Sequence, residues 1–238
     1  MGYYYWDPTY ILVVIGAVIC MIASARVKGT FNKYSQLRSM SGMNGAQVAQ
    51  RVLQAAGIYD VQVRHVSGSL TDHYDPRDNT IYLSEDVYAS ATISAVGVAC
   101  HEAGHAVQYA VGYGPIRVRS AIIPVTQLGS KFSFILLLIG LLLYSQPLFL
   151  VGILLFSLTT IFQLVTLPVE FNASRRAIAT IEDSYLLDDD EVRGAEKVLR
   201  AAALTYVAAL LMSMLQLLRY VLIFLGRNGG GRRGGGRE

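Results

Sequence analysis

His101, Glu102 and His105 stand in the order His-Glu-x-x-His, inside a run of small and apolar residues that reads as a helix over 92–111. Residues at i and i+4 share a helical face, so both imidazoles can reach one metal ion. Glu102 adjoins the first histidine, where its carboxylate can take a proton from water that the metal has made acidic. Zn²⁺ takes nitrogen and carboxylate ligands, and a catalytic zinc keeps one position open for water. The chemistry implied is attack of water on a peptide carbonyl. The chain has four histidines, His65, His73, His101 and His105. A shuffled copy would carry the pattern with a probability of roughly 0.002. The alternative is a helix bearing two solvated histidines and a glutamate. The flanks, Ala91 to Cys100 and Ala106-Val107, are small and apolar and argue against it. Polar groups in so apolar a helix need partners.

Two histidines alone hold zinc poorly, so a third protein ligand is required. Glu170 is the candidate, in Pro168-Val169-Glu170-Phe171-Asn172-Ala173-Ser174-Arg175-Arg176. It follows a charge-free stretch, 132–167, long enough for two short membrane spans with a break at Ser145-Gln146-Pro147. Two crossings return the chain to the side it left, the side of His101. The alternative for Glu170 is a surface pairing with Arg175 or Arg176. Asp72-His73 lies in a loop-like stretch. There His73 is a candidate to stabilise an oxyanion, and equally a turn cap or a solvated residue. Arg175 and Arg176 are candidates to bind a substrate carboxylate or to orient Glu170, or else to hold a membrane boundary. Cys100 points about 100° away from His101 on a helix and reads as a packing residue. His65 has no companion and reads as structural.

The elements that must position these residues follow from composition and pattern. Of 238 residues, 53% are hydrophobic, and the mean hydropathy of +0.41 is too high for an ordinary soluble domain. The net charge of +3 gives no sign of a nucleic-acid binder. Two cysteines, Cys20 and Cys100, offer no disulfide framework. Tyr3, Tyr4, Tyr5 and Trp6 resemble an interfacial aromatic belt, and Tyr10 to Ala25 reads as a span. A secretory signal is disfavoured because no basic residue precedes the apolar run. We divide the chain into an N-terminal transmembrane helix (1–25), a soluble-looking portion with the His-Glu motif (26–120), a transmembrane hairpin (121–168), a third-ligand segment and helix (169–203), an apolar helix (204–225) and a Gly/Arg tail (226–238) read as disordered.

Within the soluble portion, Asn44 to Ala56 reads as an amphipathic helix stopped by Gly57. Val61 to Val66 alternates like a strand, Tyr74 to Asn79 is turn chemistry, and Asn79 to Ser84 is a second short strand. That second strand is expected at the sheet edge, where an extended peptide can pair with it. Asp188 to Glu191 suits a helix start. Leu204 to Leu225 is the least regular apolar run, interrupted by Gln216 and Arg219, the latter suited to lipid headgroups or an acidic partner. Ten Lys and Arg lie in 26–131 and five in 175–200, with none in 1–9 or 145–147. By the positive-inside rule the metal site faces the cytoplasm. The four arginines of the tail break the pattern if 204–225 crosses.

These stretches together resemble the YugP-type neutral zinc metallopeptidases of bacterial membranes. The likeness is carried by Ser69 to Pro76, by Ile81 to Ser84, by Val98 to Gln108 and by Leu167 to Arg176, and it spans nearly the whole chain before the tail. The resemblance implies a zincin peptidase whose zinc ligands map to His101, His105 and Glu170, with Glu102 as the base. Prenyl-protein and heat-shock membrane zincins are more distantly similar and place an Asp where this chain has Ser174. That Asp helps hold a ligand histidine, so Ser174 joins the candidates behind the ligands or towards substrate, and Asp72, beside His73, is a separate candidate of that kind.

The expectation is therefore an α+β membrane protein, with a zincin-like core of small sheet and His-Glu helix, and three to four transmembrane helices. Its function would be a zinc endopeptidase of the cell membrane holding one Zn²⁺. Its substrates would be peptides or membrane proteins, and its surroundings the lipid bilayer. The rivals are a non-catalytic membrane protein with structural zinc and a small transporter. An intact Glu102 opposes the first, and the scarcity of charge in the spans opposes the second.

Overall fold

The computed structural model describes residues 7–230, with side chains through Arg227. It is mostly helical, with a small mixed sheet. The described helices are α1 (Tyr10–Tyr34), α2 (Gly45–Ala55), α3 (Glu85–Tyr88), α4 (Ile93–Ala110), α5 (Gly114–Leu142), α6 (Gln146–Asp183) and α7 (Asp189–Gly230). The strands are β1 (Gln62–Val66), β2 (His73–Asp75) and β3 (Thr80–Ser84). The chain forms two compact units, and α1, α5, α6 and α7 each contribute residues to both.

The first unit gathers residues up to Ile22, Arg119–Val165 and the chain from Tyr206. Its helices leave large apolar side chains exposed, among them Ile11, Leu128, Phe134, Leu142 and Leu154. A water-facing surface would bury them. Helices α1, α5, α6 and α7 are each long and apolar enough to cross a membrane, which supports a membrane location. Leu137, Phe149 and Ile153 form a small buried cluster with Tyr220 packed on it. The hairpin break falls between α5 and α6, where Tyr144 adopts φ +51 and Ser145 N–H reaches Gly140 O. Arg219 has an acidic partner. Its guanidinium lies 3.2 Å from Asp7 Oδ2 and sits 4.0 Å from the centre of the Tyr10 ring.

The second unit, Ala23–Val118 with Thr166–Thr205, holds the main core. Asn44 opens α2 with a reciprocal cap. Its side chain accepts from Gln47 N at 2.9 Å, and its own N–H donates to Gln47 Oε1 at 3.0 Å. Val48, Ala49, Val52 and Leu53 then bury one face at helical spacing. Gly57 follows with φ +70, the left-handed geometry that ends the helix. In α4 most residues are buried, many of them small, so the helix is packed on more than one side. Helix α7 starts where Asp188 to Glu191 led us to expect, and Asp188 and Glu191 repeat the reciprocal cap there.

Three expectations need correction. The strand over 80–84 is not an edge. It is central, parallel to β1 and antiparallel to β2, and it is buried on both faces. His73, Tyr74 and Asp75 belong to a strand, so His73 is not in a loop and the turn is confined to the residues after Asp75. The tail is not irregular from Gly226. Helix α7 runs unbroken from Asp189 to Gly230, because the apolar run before the tail carries the helix onward. The aromatic belt over Tyr3 to Trp6 and the tail over 231–238 lie outside the described residues.

Candidate metal centre

His101 and His105 stand one turn apart on α4, and Glu170 stands on α6. Gly104, between the histidines, lets these helices approach. A Cβ there would lie 3.1 Å from Ala173 O, between Glu170 and Ser174 in the sequence. At this crossing the three donor side chains converge. Glu170 Oε2 lies 3.3 Å from His101 Nε2 and 3.5 Å from His105 Nε2. The imidazole rings meet edge to face, 4.8 Å apart. One ligand atom from each of the three residues lies within 4.8 Å of the other two.

The side chain of Glu170 is only 2% exposed. A carboxylate so buried needs a cationic or strongly hydrogen-bonding environment. Two nitrogens and one oxygen supply the donor set that zinc takes. Ligands at zinc's usual bond lengths in a tetrahedron are separated by about 3.3–3.4 Å. The two spacings to Glu170 lie close to this, so the donor set fits the ion.

The outward nitrogens are also occupied. His101 Nδ1 lies 3.2 Å from Ser174 Oγ, and His105 Nδ1 lies 3.0 Å from Gln108 Oε1. Both rings thus turn Nε2 inwards, as in metal sites where a further group holds each ligand histidine.

A family model described as "Putative neutral zinc metallopeptidase" matches residues 9–225. The chain belongs to this family. It is 48% identical to the "Putative membrane protease YugP" of Bacillus subtilis (strain 168), over 91% of this chain and 96% of that protein. No solved structure matches. The family's zinc accords with the donor set just described.

The other candidates take various places in this metallopeptidase family member. Glu102 is buried on α4. Burial raises its carboxyl pKa, Glu170 and Asp72 add to the rise, and the two histidines oppose it. Asp72 ties its loop to the end of β3, accepting from Ser84 N at 2.7 Å and from Ser84 Oγ at 3.0 Å. Burial raises the pKa of Asp72 as well, against the pull of those two bonds. His73 stacks on Tyr82, ring centres 5.0 Å apart, and its Nδ1 lies 2.8 Å from Thr71 O. A carbonyl only accepts, so Nδ1 carries the hydrogen, and Nε2 becomes a donor only in the imidazolium form. Arg175 is exposed, while Arg176 turns to Asn172. His65 lies 4.0 Å from Glu85 and edge-on to Tyr88, both outside the metal cluster.

Reasoning from sequence missed Gln108 and Asn172. The available signal was Gln108 itself, a polar side chain at i+3 from His105 in an apolar helix. A fully buried amide requires several partners, which marks such a position as part of a network.

Proposed function

We propose that this protein is a zinc-dependent endopeptidase of the membrane with a zincin-like core. His101, His105 and Glu170 hold the metal, and Glu102 acts as the general base. The observation that carries this reading is the convergence of two imidazole nitrogens on one buried carboxylate oxygen, at 3.3 and 3.5 Å, with Glu102 buried next to His101 on the same helix. When bound, zinc would supply Lewis acidity, polarising a carbonyl and making water acidic. Glu102 would accept a proton from the attacking water and later return one to the leaving amine. Glu170 offsets part of the metal's charge, and Ser174 and Gln108 keep the two rings in place.

A purely structural zinc gives no reason for a buried carboxylate beside the ligands, which favours the catalytic reading. The relative's name, a membrane protease, agrees with it. Glu170 shares one continuous helix with the apolar stretch that opens α6. We take peptides or membrane-proximal protein segments as the substrate class, and the cytoplasm as the side of the site, from the distribution of Lys and Arg.

The test is cleavage of casein by detergent-purified protein, before and after treatment with a chelator and then added zinc. Wild type should lose cleavage on chelation and regain it with zinc. Glu102→Gln should stay inactive throughout, while binding zinc as wild type does. Equal cleavage by Glu102→Gln and wild type would sink the proposal.

A further inference from the structure

Gln108 is fully buried, yet both ends of its amide are engaged. Its Nε2 lies 2.9 Å from Val169 O and 2.9 Å from Asn172 Oδ1. Both neighbours are acceptors, so that atom must be the amide nitrogen, and the oxygen faces His105 Nδ1 at 3.0 Å. An amide oxygen only accepts, so Nδ1 carries the hydrogen, and in the neutral ring Nε2 then keeps its lone pair.

Asn172 is oriented in turn. Its Oδ1 takes Arg176 Nε–H at 2.8 Å, and a guanidinium never accepts. The polarity of the chain therefore runs one way. Arg176 and the Gln108 amide donate to Asn172 Oδ1, and His105 Nδ1–H donates to Gln108 Oε1.

From this we infer that Gln108 is a positioning residue, which fixes His105 in the tautomer that presents Nε2 as a ligand, with Asn172 and Arg176 fixing Gln108. The inference rests on the proposal that His105 binds zinc. A flipped Gln108 amide would set its oxygen against Val169 O and Asn172 Oδ1 and break two buried bonds. It would also turn an N–H towards Nδ1, leaving the proton on Nε2, the nitrogen that faces Glu170. His101 has no such constraint. Its Nδ1 meets the Ser174 hydroxyl, a rotor that donates or accepts as needed. His105 is thus the preset ligand and His101 the adaptable one.

The experiment uses two readouts on the full chain in detergent. Side-chain ¹⁵N NMR of labelled histidine, in metal-free protein above the imidazole titration range, reports the His105 tautomer. Competition with a zinc chelator reports affinity for the metal alone. Wild type should show His105 protonated at Nδ1. Gln108→Met keeps the volume and loses every bond, so zinc affinity should fall roughly 10–100-fold. Asn172→Leu should weaken binding in the same direction. Asn172→Asp keeps an acceptor for both Gln108 and Arg176 and should stay close to wild type.

The inference is overturned if wild-type His105 is protonated at Nε2, or if Gln108→Met keeps wild-type affinity. It is also overturned if Asn172→Asp and Asn172→Leu weaken binding equally, because the contacts would then be packing only. If Gln108→Met does not fold, the wild-type tautomer and the Asn172 pair decide the matter. If wild type binds no zinc, the proposed function fails, and the tautomer still tests the network.

Discussion

At the scale of single residues, the site is a matter of which atoms are left able to donate or accept. His101, Glu102 and His105 were legible because helical spacing sets their faces within one element. Glu170 was legible only by counting crossings, since 65 positions separate it from His105. Gln108 was not singled out, because nothing in the sequence pairs it with Val169 and Asn172, its contacts on another helix. Asp72 carries a pH prediction. Its folded pKa is raised, so ionised Asp72 costs the fold stability above that pKa. The cost vanishes as pH falls through the raised value towards the unfolded value of about 3.9. Asp72→Asn keeps an acceptor for Ser84 and cannot ionise. Thermal midpoints of the two proteins should therefore draw together, or shift in favour of wild type, across that window on acidification. A gap that widens against wild type there would contradict the burial argument.

At the scale of elements, strong local signals succeeded and short ones failed. Asn44, Gln47, the buried stripe and Gly57 all agreed on α2, and the helix begins and ends there. Replacing Asn44 with Ala removes the side-chain half of its cap. It should cost about 1 kcal/mol, read as a lower denaturant midpoint at unchanged slope. No loss would mean that tertiary packing alone sets this helix end. Strand β2 was missed because it has three residues and runs into Pro76, so turn residues masked its pairing. Its pairing with β3 is non-local information, and it moves β3 from the edge to the centre of the sheet. The extent of α7 was misjudged because the Gly/Arg composition after Gly226 reads as irregular, whereas the apolar run before it carries the helix to Gly230. Within that run Gln216 donates to Tyr220 Oη at 2.8 Å, and Arg219 meets Asp7.

For the whole molecule, composition alone indicated membrane helices, and four described helices meet the requirement of length and apolarity. The division into two units was harder to read, because each long helix contributes to both. Orientation is testable through Tyr185, which is 86% exposed between α6 and α7. In a background lacking Cys20, Tyr185→Cys should react with a membrane-impermeant maleimide only once the cytoplasmic face is opened. Labelling of intact cells would reverse the assigned topology. Every role proposed for this site requires that His101, His105 and Glu170 together hold zinc. The direct measurement is zinc per chain in purified wild type, Glu102→Gln and Glu170→Ala. About one zinc is expected in wild type and in Glu102→Gln, with loss of the metal in Glu170→Ala. A metal-free wild type, or full zinc in Glu170→Ala, would contradict it.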